Sequence, residues 1–92
     1  TEGCEVYGHV DHSVIFSGVT IREGATVKDS VVMPGAVIER GAQVQRAIVS
    51  EDAVIGAGAT VGEATGNIAV VGTGVHLAAG GEVKAGEQYA GF

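Results

Sequence analysis

The sequence predicts an all-β fold, a parallel β-helix or hexapeptide-repeat solenoid of about five turns of roughly 17 residues each. Three observations lead there: a segment written three times in succession, a large aliphatic residue at every sixth or fifth position, and glycines that fall in register with the repeat. The segment HSVIFSGVTIREGATVK, residues 12–28, returns as DSVVMPGAVIERGAQVQ and again as RAIVSEDAVIGAGATVG.

In register, the copies align Ile15, Val32 and Val49, then Ile21, Ile38 and Ile55, then Val27, Val44 and Val61. Two residues before each stands a smaller or slimmer one: Ser13, Ser30 and Ala47, then Val19, Ala36 and Ala53, then Ala25, Ala42 and Ala59. Alternation along an extended chain puts both members of a pair on one side. A helix cannot use the pattern, because six residues advance about 240° past one turn. Three short strands per turn with corners between them can, each turn pairing in parallel with the next at roughly 4.8 Å.

The corners are marked by Gly24, Gly41 and Gly58 in one column and by Gly18, Gly35 and Asp52 in another. Corners often need positive φ, which glycine adopts freely and Asp tolerates.

Carried backwards, the frame puts Cys4 and Val10 inward, so the residues before Asp11 form most of another turn. Carried forwards, it resumes at Val71, Leu77 and Val83, preceded by Ala69, Val75 and Gly81. The excess between Val61 and Val71 assigns residues 62–67 to an excursion loop. The solenoid is expected to occupy residues 1–84. Residues 85–92 then form a tail, either frayed or folded back so that Tyr89 and Phe92 cap the last turn.

A chain of 92 residues with 16 Gly, two Phe, two Tyr and no Trp cannot build a core from aromatic bulk, which also favours repetition. Eleven acidic against five basic residues give a formal net charge of −6, which repels a phosphate backbone and argues against nucleic acid as a partner. Cys4 is single, so no intrachain disulfide or cysteine metal framework follows, in keeping with a cytoplasmic setting. Apolar runs fall far short of the roughly 20 residues of a membrane span, and no signal peptide is evident. A soluble protein with no membrane partner is expected. Beginning at Thr1 and part-way through a turn, the chain reads as a fragment of a longer protein.

Stacking turns aligned residues into outward columns. Arg22 faces Glu39, Glu23 faces Arg40 and Asp29 faces Arg46, three pairs of opposite sign that mark the register. Val14, Val31 and Ile48 form an apolar stripe with Phe16 and Met33 beside it, which makes these five residues the candidate interface. A second column runs Thr20, Val37 and Val54.

His9, His12 and His76 fall on different strands and corners and supply no set of three or four converging metal ligands. The glycines of GAGATVG and VGTGV follow the solenoid frame rather than a phosphate-binding loop. No catalytic, cofactor-binding or metal-binding residue is assigned within this chain.

The stretch from residue 2 to residue 62 resembles the C-terminal left-handed β-helix domain of glucose-1-phosphate adenylyltransferase, also called ADP-glucose pyrophosphorylase. HSVIFSGV, KDSVVMPGAVI and RAIVSEDAVIG carry the resemblance, and GNIAVVGTGV continues it. It covers about two-thirds of the chain, and it supplies the left hand of the coil, since parallel crossovers are otherwise right-handed. The resemblance implies a structural, oligomerisation and regulatory domain. In that family an N-terminal catalytic domain joins ATP and glucose 1-phosphate with Mg²⁺ to give ADP-glucose and pyrophosphate for glycogen or starch. ATP and Mg²⁺ would therefore belong to that domain, and the partners would be that domain and other subunits of a homo- or hetero-oligomer. A weakly active or inactive glycogen-biosynthesis paralogue shares the same motifs. Two other readings stay open: a self-sufficient trimeric hexapeptide-repeat acyltransferase or metal-dependent hydratase, and a non-catalytic assembly scaffold.

Overall fold

The computed structural model describes residues 3–89. Fifteen short strands wind through five turns, each turn laying one strand on each of three parallel sheets. The first turn is β1 (Glu5–Val6), β2 (His9–Asp11) and β3 (Val14–Ile15). The second is β4 (Thr20–Ile21), β5 (Thr26–Lys28) and β6 (Val31–Val32), and the third is β7 (Val37–Ile38), β8 (Gln43–Gln45) and β9 (Ala47–Val49). The fourth is β10 (Val54–Ile55), β11 (Thr60–Val61) and β12 (Ala69–Val71), and the fifth is β13 (His76–Leu77), β14 (Glu82–Val83) and β15 (Gln88–Tyr89). The first face is thus β1-β4-β7-β10-β13, the second β2-β5-β8-β11-β14 and the third β3-β6-β9-β12-β15.

The interior follows from the alternation of large and small residues. Ile21, Ile38 and Ile55 pair turn over turn and are fully buried, as are Val27, Val44 and Val61. Val19, Ala36, Ala53, Ala42 and Ala59 are equally closed to solvent. Burying each large aliphatic favours folding by about 1.5–3 kcal/mol. The corners turn as expected: φ is +72° at Gly18, +77° at Gly35 and +58° at Asp52, and between +68° and +75° at Gly24, Gly41 and Gly58.

The first turn departs from the frame. Val10 pairs with Val27 in the usual 17-residue register, but Val6 pairs with Ile21, an offset of 15. The corner between β1 and β2 is therefore two residues short, and Val6 rather than Cys4 lies over Ile21. A Cβ at Gly8 in this tight corner would meet the carbonyl oxygens of Ala25 and Arg22 at 2.5 and 2.8 Å. Cys4 still packs on the core, half-buried, and its thiol donates to the Phe16 carbonyl at 2.9 Å.

The excursion loop lies between β11 and β12, where the expected excess falls. Pairing of Val54 with His76 and of Val61 with Val83 shows a 22-residue step, where β4, β7 and β10, β5, β8 and β11, and β6 and β9 succeed one another by 17.

The chain does not leave the coil at residue 84. β15 pairs with β12, Val70 with Gln88 and Val71 with Tyr89, so residues 88–89 complete the fifth turn instead of belonging to a separate tail. Tyr89 occupies the position over the inward Val71. Phe92, the other expected cap, lies outside the described residues. No helix among the described residues is long and apolar enough to cross a membrane.

Candidate functional site

The three faces differ in chemistry because each outward column is fixed by the parallel register. The second face presents His9, Thr26, Gln43, Thr60 and Glu82, and the first presents Glu5, Thr20, Val37, Val54 and His76. On the third face the outward column runs Val14, Val31, Ile48, Val70 and Gln88. All five candidate interface residues therefore share one face, and Val70 extends the stripe by one turn. Phe16 and Met33 stack beside the column through the amides that bond Val32 and Val49, followed by Ser50 and Gly72. No ionisable side chain stands in these two columns.

Exposure is uneven along the stripe. Val14 and Phe16 are 53% and 41% exposed, whereas Val31, Met33, Ile48 and Val70 are half-buried. An uncharged apolar strip of this kind on a chain of net charge −6 is a surface suited to contact with another protein surface. Val70 is hidden in the sequence because the loop shifts it five places beyond the 17-residue frame.

The corner between the second and third faces carries chemistry that the sequence frame does not show. His12, Asp29 and Arg46 turn it with φ of +48°, +50° and +46°, a left-handed conformation adopted without glycine. Inside the corner the serine hydroxyls form a ladder. Ser13 Oγ accepts from the Ser30 amide at 3.0 Å and Ser30 Oγ accepts from the Ala47 amide at 3.2 Å. Each hydroxyl donates to the carbonyl two residues back, Asp11 at 2.8 Å and Lys28 at 2.7 Å. Ala47 ends the ladder, and the next turn enters from the excursion loop with the Ala69 amide bonding the Arg46 carbonyl.

Two of the three expected ion pairs form, Arg22–Glu39 at 3.8 Å and Arg40–Glu23 at 4.0 Å, both at exposed positions. The third does not. Arg46 turns from Asp29 and donates from Nε and Nη2 to the carbonyl of Gly66 at 3.2 and 2.9 Å, so it ties down the loop. A fixed carbonyl within reach of two guanidinium donors outcompetes an exposed carboxylate that must be ordered to pair.

The histidines stay apart. His9 lies on the second face and His76 on the first, both exposed, while His12 places Nδ1 2.9 Å from Asp11 Oδ1 at the third corner with its side chain 80% exposed. Among the described residues no group of three His, Cys, Asp or Glu side chains is placed to hold a metal ion.

Residues 1–71 match the family model described as GlmU-like, C-terminal hexapeptide. The chain belongs to that family. Among solved structures, this GlmU-like hexapeptide domain is similar to GDP-perosamine N-acetyl transferase from Caulobacter crescentus, a point mutant in complex with CoA and GDP-perosamine. The identity is 26% and the TM-score 0.43, over 96% of this chain and 45% of that one, so the GlmU-like domain spans less than half the length of that protein. No curated protein matches the chain.

Proposed function

We propose that this hexapeptide domain is the structural, oligomerisation and regulatory module of a glucose-1-phosphate adenylyltransferase, its catalytic chemistry residing in a separate N-terminal domain of the parent chain. The observation that carries the assembly role is the third face, where Val14, Val31, Ile48 and Val70, with Phe16 and Met33, form a strip free of ionisable groups over four turns. The adenylyltransferase assignment rests on HSVIFSGV, KDSVVMPGAVI and RAIVSEDAVIG. On this reading ATP and Mg²⁺ act in the catalytic domain, the partners of the face are that domain and neighbouring subunits, and the protein works in the cytoplasm.

The test is the double substitution Phe16→Glu and Met33→Glu in the parent chain. It should leave the coil folded and weaken subunit association or domain docking in sedimentation. Unchanged sedimentation and docking would remove the face from the assembly. The enzyme assignment has a separate check: the parent sequence should encode a nucleotidyltransferase domain with a Gly-rich phosphate loop, and its absence there would overturn that half of the reading.

One contact favours a second reading, a hexapeptide-repeat acyltransferase. His12 Nδ1 is held against Asp11 Oδ1 at 2.9 Å, a pairing that orients an imidazole as a general base. Saturable binding of acyl-CoA, kept in His12→Ala while acyl transfer is lost, would support it, and no binding would discard it.

A further inference from the structure

β15 pairs with β12 as the earlier strands of its face pair, but the corner that leads into it is supported differently. Elsewhere one corner stacks on another, but residues 84–89 sit on the excursion loop. The Ala85 amide donates to Glu63 Oε2 at 3.1 Å and the Gly86 amide donates to the Asn67 carbonyl at 3.0 Å. The strand itself is held by two amides of the fourth turn, Val70 to the Glu87 carbonyl and Gly72 to the Tyr89 carbonyl, each at 2.9 Å. It pairs with β12 along the ladder, Val70 with Gln88 and Val71 with Tyr89, and is braced internally: the Lys84 amide bonds Glu87 Oε1 and the Glu87 amide bonds the Lys84 carbonyl.

Packing changes abruptly at the same place. Val83 is 1% exposed, whereas Lys84 and residues 86–89 are all exposed. An open cleft of about 250 Å³, lined by Thr60, Gly62, Glu63, Glu82, Val83 and Lys84, lies where the loop leaves β11 and the segment leaves β14, so it reaches the segment at Lys84. A segment with few buried apolar contacts and exposed hydrogen bonds belongs to the low-stability end of a fold.

We propose that residues 84–89 form a latch that opens about Val83 independently of the rest of the coil, with the Glu63 carboxylate as the side-chain catch. Opening frees the Val70 and Gly72 amides, so the edge of β12 becomes available at the end of the apolar column of the third face. The buried Val83 stays in place, and with it the bond from the Gly62 amide to the Val83 carbonyl at 2.7 Å.

Amide hydrogen exchange in the intact chain, resolved by residue, tests this. The Val70 and Gly72 amides should exchange at least about tenfold faster than those of Thr20, Val37 and Gly62, which bond interior strands or the anchored β14. Equal rates across these amides would overturn the latch. In Glu63→Ala the Val70 and Gly72 rates should rise by about fivefold with Thr20 and Val37 unchanged, and Glu63→Gln, which keeps an acceptor, should stay near the parent. Unaltered Val70 and Gly72 rates in Glu63→Ala would remove Glu63 as the catch.

Discussion

The hydroxyl of Ser30 accepts the amide proton of Ala47, 17 residues further along the chain, at 3.2 Å while donating its own to Lys28. At 4% exposure it is the buried polar side chain of the core among the described residues, and both its bonds are made inside the corner. Ser30→Ala should therefore leave the buried Ala47 amide without an acceptor and cost about 1–3 kcal/mol in urea denaturation. A neutral result would show that water enters the corner.

Arg46 combines an unfavourable backbone with two favourable bonds, its φ of +46° against its guanidinium contacts to Gly66. Arg46→Ala should lose the bonds and keep the backbone cost, whereas Arg46→Gly loses the bonds and relieves it. The glycine variant is expected to be the more stable of the two by about 1 kcal/mol in thermal unfolding. The reverse order would mean that the left-handed corner carries no strain.

Gly62 and Gly41 both have positive φ, +76° and +69°, but only one has room for a side chain. A Cβ on Gly62 would run into the Gln45 carbonyl oxygen, while nothing lies within 4 Å of one on Gly41. Gly41→Ala should cost about 1 kcal/mol, the left-handed penalty alone. Gly62→Ala should cost on the order of 3 kcal/mol or displace the loop, read from denaturation and from the amide signals of residues 62–68. Similar losses in both variants would sink the distinction.

Ile38 sits fully buried between Ile21 and Ile55. Ile38→Ala should destabilise by about 2–5 kcal/mol, because small neighbours such as Ala36 and Ala42 cannot close the void. A loss below 1 kcal/mol would indicate that the turns above and below collapse onto the gap.

The interior of this coil was legible because inward side chains recur at fixed spacing: Ile21, Ile38 and Ile55 needed only alternation and a count. The position of the excursion loop was legible for the same reason, as an interruption of that count. What the loop touches was not. Arg46 had a carboxylate at the expected distance in Asp29, and only the folded path of the loop shows that the Gly66 carbonyl is nearer. The short first corner escaped because Val6 and Cys4 both alternate inward, and choosing between them requires the backbone approach at Gly8. β15 escaped because its outward Gln88 and inward Tyr89 do not repeat the aliphatic pattern. Of the candidate site, the five residues of the stripe were readable as one column and its neighbours, while Val70 required the 22-residue register across the loop.

That register has a consequence for how the chain tolerates growth. Val54 meets His76 as closely in step as Val37 meets Val54, although the first step spans 22 residues and the second 17. By loop-closure entropy the longer step costs only about 0.2 kcal/mol more. The corner after β11 is thus a place where segments of new sequence can be grafted without changing which side chains face inward.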